Sequence, residues 1–148
     1  MNEARLRSLP KRKAAFVEPM ECLAVPKLPD GPQWLYEIKL GGYRALAVKS
    51  TGVTLLSRRK KSLNSQFSYM AEALADLPAG AVVDGEVAGL DDSGRPDFNL
   101  LQNFRAEASR IRYYIFDLLF CKDRDLTRLP LVERRARESA RYAQVTVG

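Results

Sequence analysis

The sequence contains no histidine in its 148 residues. That absence excludes any catalytic triad with an imidazole base and, with only Cys22 and Cys121 as thiols, the usual Cys/His zinc patterns. The two cysteines stand far apart and read as free thiols. Long apolar runs are lacking too: none approaches the roughly 18 residues of a membrane-spanning helix. The N-terminus has no apolar signal core, so the chain is expected in the cytoplasm, away from membranes.

A hydrophobic content of 46% over this length supports one domain of ordinary size with a true core. The formal charge of +6 favours a polyanionic partner, because Lys and Arg that neutralise phosphates release counterions. Much of it sits early, where Arg5, Arg7, Lys11, Arg12 and Lys13 face Glu3 alone. Residues 1–15 therefore read as a basic flexible leader, either a solvated tail or an arm that touches DNA.

Pro19, Pro26, Pro29 and Pro32 keep the next segment extended, and Asp30-Gly31 marks a turn. Trp34–Lys39 and Tyr43–Lys49 have strand composition, and Gly41-Gly42 between them is a two-residue hairpin signal. Such a hairpin sets Lys39 opposite Arg44, with Cβ atoms about 4.5–5.5 Å apart, so that the arginine favours the neutral, nucleophilic amine. A third strand is expected at Val53–Ser57 after the Ser50-Thr51-Gly52 turn. Phe67, Met70, Ala71, Leu74 and Leu77 recur at helical spacing, which predicts an amphipathic helix over 64–77. Residues 81–90 read as a strand interrupted by acidic residues, 91–94 as a turn, 98–104 as a short helix, 112–120 as a buried strand, and Pro130 onward as a charged helix. Hairpins with helices between them point to an α+β arrangement of antiparallel sheets.

Four segments in order give this pattern a chemical meaning. The runs EIKLGGYR, LLSRRKKSLN, VVDGEVAGLDDSGRPDFNLLQNF and YYIFDLLF, introduced by FVEPM, resemble the first half of the nucleotidyltransferase domain of ATP-dependent DNA ligases, especially the bacterial end-joining type. The likeness runs from about Phe16 to Arg135. It implies that 16–148 is a partial adenylation domain of the ligase and capping-enzyme fold. It also implies ATP and Mg²⁺ (or Mn²⁺) as cofactors and nicked or broken duplex DNA as partner, alongside other end-joining repair proteins.

The resemblance also assigns residues. Lys39 matches the lysine that carries AMP through a phosphoramidate bond, a role suited to an amine that is nucleophilic when neutral and later a leaving group. Glu37 matches the carboxylate that recognises the exocyclic amine of adenine, Arg44 the arginine on the sugar, and Arg58 the arginine of the ribose and phosphate region. Glu86 matches the carboxylate for the ribose hydroxyl and the divalent metal, with Asp84 behind it, and Phe116 the aromatic that stacks on the purine. Lys60 and Lys61 extend the positive surface.

Two departures stand out. The family motif K-x-D-G-x-R has an aspartate where this chain has Gly41, and the later E-G-x-x-x-K and K-x-K blocks and the oligonucleotide-binding domain have no counterpart. Reduced activity, weak DNA binding and no sealing by this chain alone are therefore expected. Two other readings stay open: a non-catalytic DNA-binding or assembly remnant of a ligase, and an RNA ligase or capping-type nucleotidyltransferase.

Overall fold

The computed structural model describes residues 2–139, with side chains to 136; the last part of the expected domain, 140–148, lies outside the described residues. In chain order the elements are α1 (Glu3–Ser8), β1 (Tyr43–Lys49), β2 (Val53–Ser57), α2 (Ser68–Ala73), β3 (Ala81–Gly89), α3 (Asn99–Gln102), β4 (Ile111–Cys121), β5 (Arg124–Asp125) and α4 (Leu131–Ser139). The strands form one antiparallel sheet in the order β2-β1-β3-β4-β5, which makes the fold α+β, as the sequence predicts.

Alternation along the strands gives the sheet two unlike faces. On one, Ala45, Ala47, Leu55, Val83, Val87 and Tyr113 pack with Phe67, Met70, Leu74 and Leu77 into the main core. Those last four are buried as the expected stripe requires, yet the helix is shorter than 64–77 and only Met70 of them lies within it, between the caps Phe67 and Leu74. Asn64 explains its late start: its side chain accepts from Leu55 N–H (2.7 Å) and donates to Val53 O (2.9 Å), tying the chain to β2 before α2 begins. The Tyr113 ring passes under Gly85, where an added Cβ would lie 2.7 Å from it and 2.4 Å from Tyr114 O. The glycine of the acidic interruption is thus set by close approach in the sheet, and Tyr113 Oη donates to Ala45 O (2.8 Å) across it. On the opposite face Leu46, Val82, Leu119 and Phe120 form a smaller cluster beneath Ala14, Phe16 and Val17.

The expected hairpin at Gly41-Gly42 does not form. β1 is an interior strand: β2 occupies one edge and β3 the other, so no hydrogen-bonding edge remains for Trp34–Lys39. Residues 34–41 run as irregular, largely exposed chain, and the residue across from Arg44 is Glu86, not Lys39.

The stretch expected as a flexible leader contains a short helix and contacts with the sheet. Asn2 caps α1 by accepting from Arg5 N–H (2.9 Å), and Leu6 is buried in the main core. Arg12 N–H then donates to Asp123 O and Asp125 N–H to Pro10 O, so residues 10–12 cover the edge of β5. Arg5 pairs with Glu133 of α4 at 2.9 Å. Charge composition suggests a solvated tail; a single apolar residue and a free strand edge decide otherwise. Replacing Leu6 with alanine is expected to lower unfolding free energy by about 2–4 kcal/mol in urea titration, the range for a buried leucine. A loss below about 0.5 kcal/mol, normal for a surface position, contradicts a docked arm.

Candidate active site

The site is built where the chain enters β1. Gly42 lies so close to β3 that an added Cβ would stand 2.0 Å from Val87 O, and its N–H donates to the Glu86 carboxylate. Two residues on, Arg44 reaches along the less covered face. Its Nε and Nη2 donate to the two oxygens of Asp84 at 3.0 and 2.6 Å, and its Nη1 donates to Met20 O at 2.9 Å. The guanidinium lies over the Phe116 ring, 5.2 Å from its centroid. Phe116 sits where the β3–β4 register shifts, between the Asp84↔Asp117 and Gly85↔Ile115 pairs. Three strands and one bulge therefore bring Arg44, Glu86 and Phe116 together.

Electrostatics follow from burial. Asp84 is only 3% exposed, and desolvation raises its pKa above the ordinary carboxylate value; the hydrogen bonds and charge of Arg44 pull the other way, and the nearby Asp117 adds to the rise. Arg44 shows the gain from the same pair, its pKa raised first by its hydrogen bonds to Asp84. The directions differ because the carboxylate carries most of the burial, whereas the guanidinium keeps access to solvent. Asp117 has its own cation: Arg134 of α4 donates to both of its oxygens at 2.7 Å. That second pair is not signalled by any sequence motif, because it joins a strand to a helix 17 positions away.

Beside Arg44 opens a cleft of about 760 Å³, walled among others by Met20, Glu21, Cys22, Gly42, Ser57 and Arg58. Arg58 pairs with Glu21 at 3.7 Å, Arg59 and Lys61 also line the wall, and Lys60 lies over the Phe16 ring. Of the residues singled out in the sequence, Arg44 and Arg58 thus line the cleft. Glu86 and Phe116 adjoin Gly42 and Arg44 but are not among its lining residues. Glu37 and Lys39 stand on the exposed 34–41 stretch, and Glu37 pairs with Arg135 of α4. Gly41, where the motif departs from its family, has φ +63° with open space around it, a conformation that aspartate tolerates better than most residues. Among the described residues no three of His, Cys, Asp and Glu are grouped to hold a metal ion, and no helix is long and apolar enough to cross a membrane.

The chain is similar to known proteins. Residues 18–139 match the family described as ATP dependent DNA ligase domain. The multifunctional non-homologous end joining protein LigD of Pseudomonas aeruginosa is 37% identical over 124 residues, covering 81% of this chain and 15% of that protein. The LigD protein of Mycolicibacterium smegmatis is 35% identical over 105 residues, covering 70% of this chain and 14% of its own length. The chain thus spans about one-seventh of these relatives. The solved ligase domain of M. tuberculosis LigD superposes with a TM-score of 0.59 at 35% identity, over 70% of this chain and 35% of that one. A mycobacterial DNA ligase D complexed with ATP and MES gives 0.59 at 33%, over 73% and 36%.

Two substitutions test the geometry. In Arg44→Gln the buried Asp84 loses its cation, so its pKa rises further above 3.8. A carboxyl with a raised folded-state pKa contributes stability that is present below its unfolded value and lost as pH rises through the folded one. The penalty of Arg44→Gln should therefore grow with pH, to about 3 kcal/mol near pH 7 and clearly less near pH 4.5 in urea titrations; a penalty independent of pH contradicts the pair. Gly42→Ala should cost about 3 kcal/mol because backbone must move, whereas Gly41→Ala should cost about 1 kcal/mol, the left-handed strain alone. Equal losses would show that the approach to Val87 does not govern the loop.

Proposed function

This chain belongs to the ATP-dependent DNA ligase domain family, and on that premise we propose that it is the nucleotide-binding part of a bacterial end-joining ligase. The observation that carries the reading is the convergence of Arg44, Glu86 and Phe116, from β1, β3 and β4, on one face beside a cleft with further arginines.

The chemistry divides as follows. The Lys39 amine attacks the α-phosphorus of ATP through its nitrogen lone pair; a P–N bond forms, the bond to pyrophosphate breaks, and the amine's proton passes to water. Arg44, fixed by Asp84, presents the remainder of its guanidinium to the sugar, and its arginine plane with Phe116 offers a surface for the purine. Glu37 accepts from the exocyclic amine of adenine. Arg58, Arg59 and Lys61 supply positive charge for phosphates, where charge-assisted bonds are strongest. Glu86 fits as a single carboxylate ligand: one oxygen accepts from Gly42, and the other would hold the ribose hydroxyl or a Mg²⁺, which would supply charge neutralisation at the phosphates. In the next step a DNA 5′ phosphate oxygen takes the AMP, the P–N bond breaks, and Lys39 recovers its proton; nick sealing in end joining follows.

Incubating the chain, joined to a homologous C-terminal half of a ligase domain, with ATP labelled at the α-phosphate tests the assignment. Label bound to protein through an acid-labile bond, and absent from Lys39→Arg and Lys39→Ala, is expected because neither variant offers a neutral primary amine. Label that persists in either variant refutes Lys39 as the nucleophile.

A further inference from the structure

Helix α4 sets three consecutive side chains against three separate parts of the chain, because neighbours on a helix point about 100° apart. Glu133 pairs with Arg5 of α1 at 2.9 Å, Arg134 with Asp117 of β4 at 2.7 Å, and Arg135 with Glu37 of the stretch that leads into β1. The middle pair is the firm one: both side chains are only 13% exposed, and Arg134 donates to both carboxylate oxygens. It seats α4 on the residue next to Phe116, so Arg135 is placed relative to the ring proposed to stack on the purine. The third pair has a different use. Among the described residues, the hydrogen bonds of residues 35–40 are Tyr36 Oη to Pro29 O, inside the same irregular chain, and Arg135 to Glu37. Arg135 is therefore the hydrogen-bonded tie between that stretch and the elements packed on the sheet. Partly exposed ion pairs contribute little to stability, so what this one supplies is orientation.

We propose that Arg135 is a positioning residue for base selection: it holds the Glu37 carboxylate at the edge of the purine seat whose face is Phe116, so that adenine is preferred to a purine with a carbonyl at the same position. This deepens the ligase reading and rests on it. A carboxylate only accepts hydrogen bonds. Of the two oxygens of Glu37, Oε1 accepts from Arg135, and among the described residues no hydrogen bond goes to Oε2. Oε2 can take an N–H of the exocyclic amine of adenine, whereas the carbonyl of hypoxanthine offers it only lone pairs. A carboxylate loose on an exposed stretch turns away from that carbonyl at little cost, and the distinction between the bases fades; one held by Arg135 cannot turn away. A site rejects an analogue strongly when its polar group is left unpaired in place. Arg135 is found only through the fold, because 98 positions separate it from Glu37.

Titrating the full chain with ATP and with inosine triphosphate, each with Mg²⁺, while following backbone amide resonances gives the ratio of the two affinities. ATP is expected to bind about tenfold or more tightly than inosine triphosphate, the effect of one hydrogen bond to a charged acceptor. Arg135→Gln should bring the ratio below about threefold, and Arg135→Lys, which keeps the cation without the planar fork, should give an intermediate ratio. In Glu37→Gln the further change Arg135→Gln should leave the ratio where it is, since Arg135 acts through the carboxylate. A purely structural loss lowers both affinities together and leaves the ratio unchanged; that result overturns the proposal, as does an effect of Arg135→Gln that survives in Glu37→Gln. Order parameters of the amides of residues 36–39, recorded without nucleotide, give an independent reading: they should fall in Arg135→Gln, and unchanged values overturn the proposal whether or not ATP binds. A wild-type chain that binds neither nucleotide, while those order parameters fall in Arg135→Gln, sinks the ligase reading and leaves the hold on Glu37 standing.

Discussion

The buried carboxylate of Asp84 constrains everything around the site. An ionised group at that depth is costly unless its lone pairs are met, and a second carboxylate, Asp117, stands across from it in the sheet. The chain answers with one arginine for each: Arg44 from the neighbouring strand and Arg134 from the C-terminal helix. The first of these fixes Arg44 over Phe116 and leaves part of its guanidinium toward the cleft. The second fastens α4 to the sheet, and α4 in turn holds α1 through Arg5 and Glu133. Charge compensation at two adjacent positions thus links the interior of the sheet to both ends of the described chain.

Rigidity is distributed unevenly as a result. Glu86 is paired across on both sides, with Arg44 of β1 and Tyr114 of β4, and Arg44 and Phe116 flank it on those strands, the setting in which a binding constellation keeps its geometry. Lys39 and Glu37 are carried by a stretch without such support. A reaction that needs a lysine close to phosphorus cannot tolerate loose placement, since small misplacements of a reacting group cost orders of magnitude in rate. The residues proposed to recognise nucleotide are built into the sheet; the lysine proposed to react is attached to an exposed segment.

Much of this was legible in the residues. The strand at Val53–Ser57 and the buried strand at the YYIFDLLF run emerged close to their observed bounds because alternation and apolar runs are local signals. The failures share another cause. Gly41-Gly42 reads as a hairpin, but nothing in that octapeptide reveals that β1 has already given both edges to β2 and β3. Charge in the first fifteen residues hides Leu6, whose burial docks the arm, and no local rule foretells that Asn64 will bond to β2 and delay a helix. Family resemblance supplied Arg44, Glu86 and Phe116 as candidates; Asp117 with Arg134 and the Met20 carbonyl required the fold, because they join residues remote in sequence.

The Arg44–Glu86–Phe116 face, with the Arg58 cleft beside it, is the proposed seat of an adenine nucleotide. A second basic hollow, lined by Lys11, Lys13 and Lys49 near Gly80, offers phosphates a competing place. Titrating the isotopically labelled chain with ATP and Mg²⁺ while following backbone amide resonances distinguishes them. Saturable shifts are expected at Gly42, Arg44, Arg58, Glu86 and Phe116 and none at Lys11, Lys49 or Gly80; shifts confined to the latter group would put the nucleotide in the second hollow and refute the assignment.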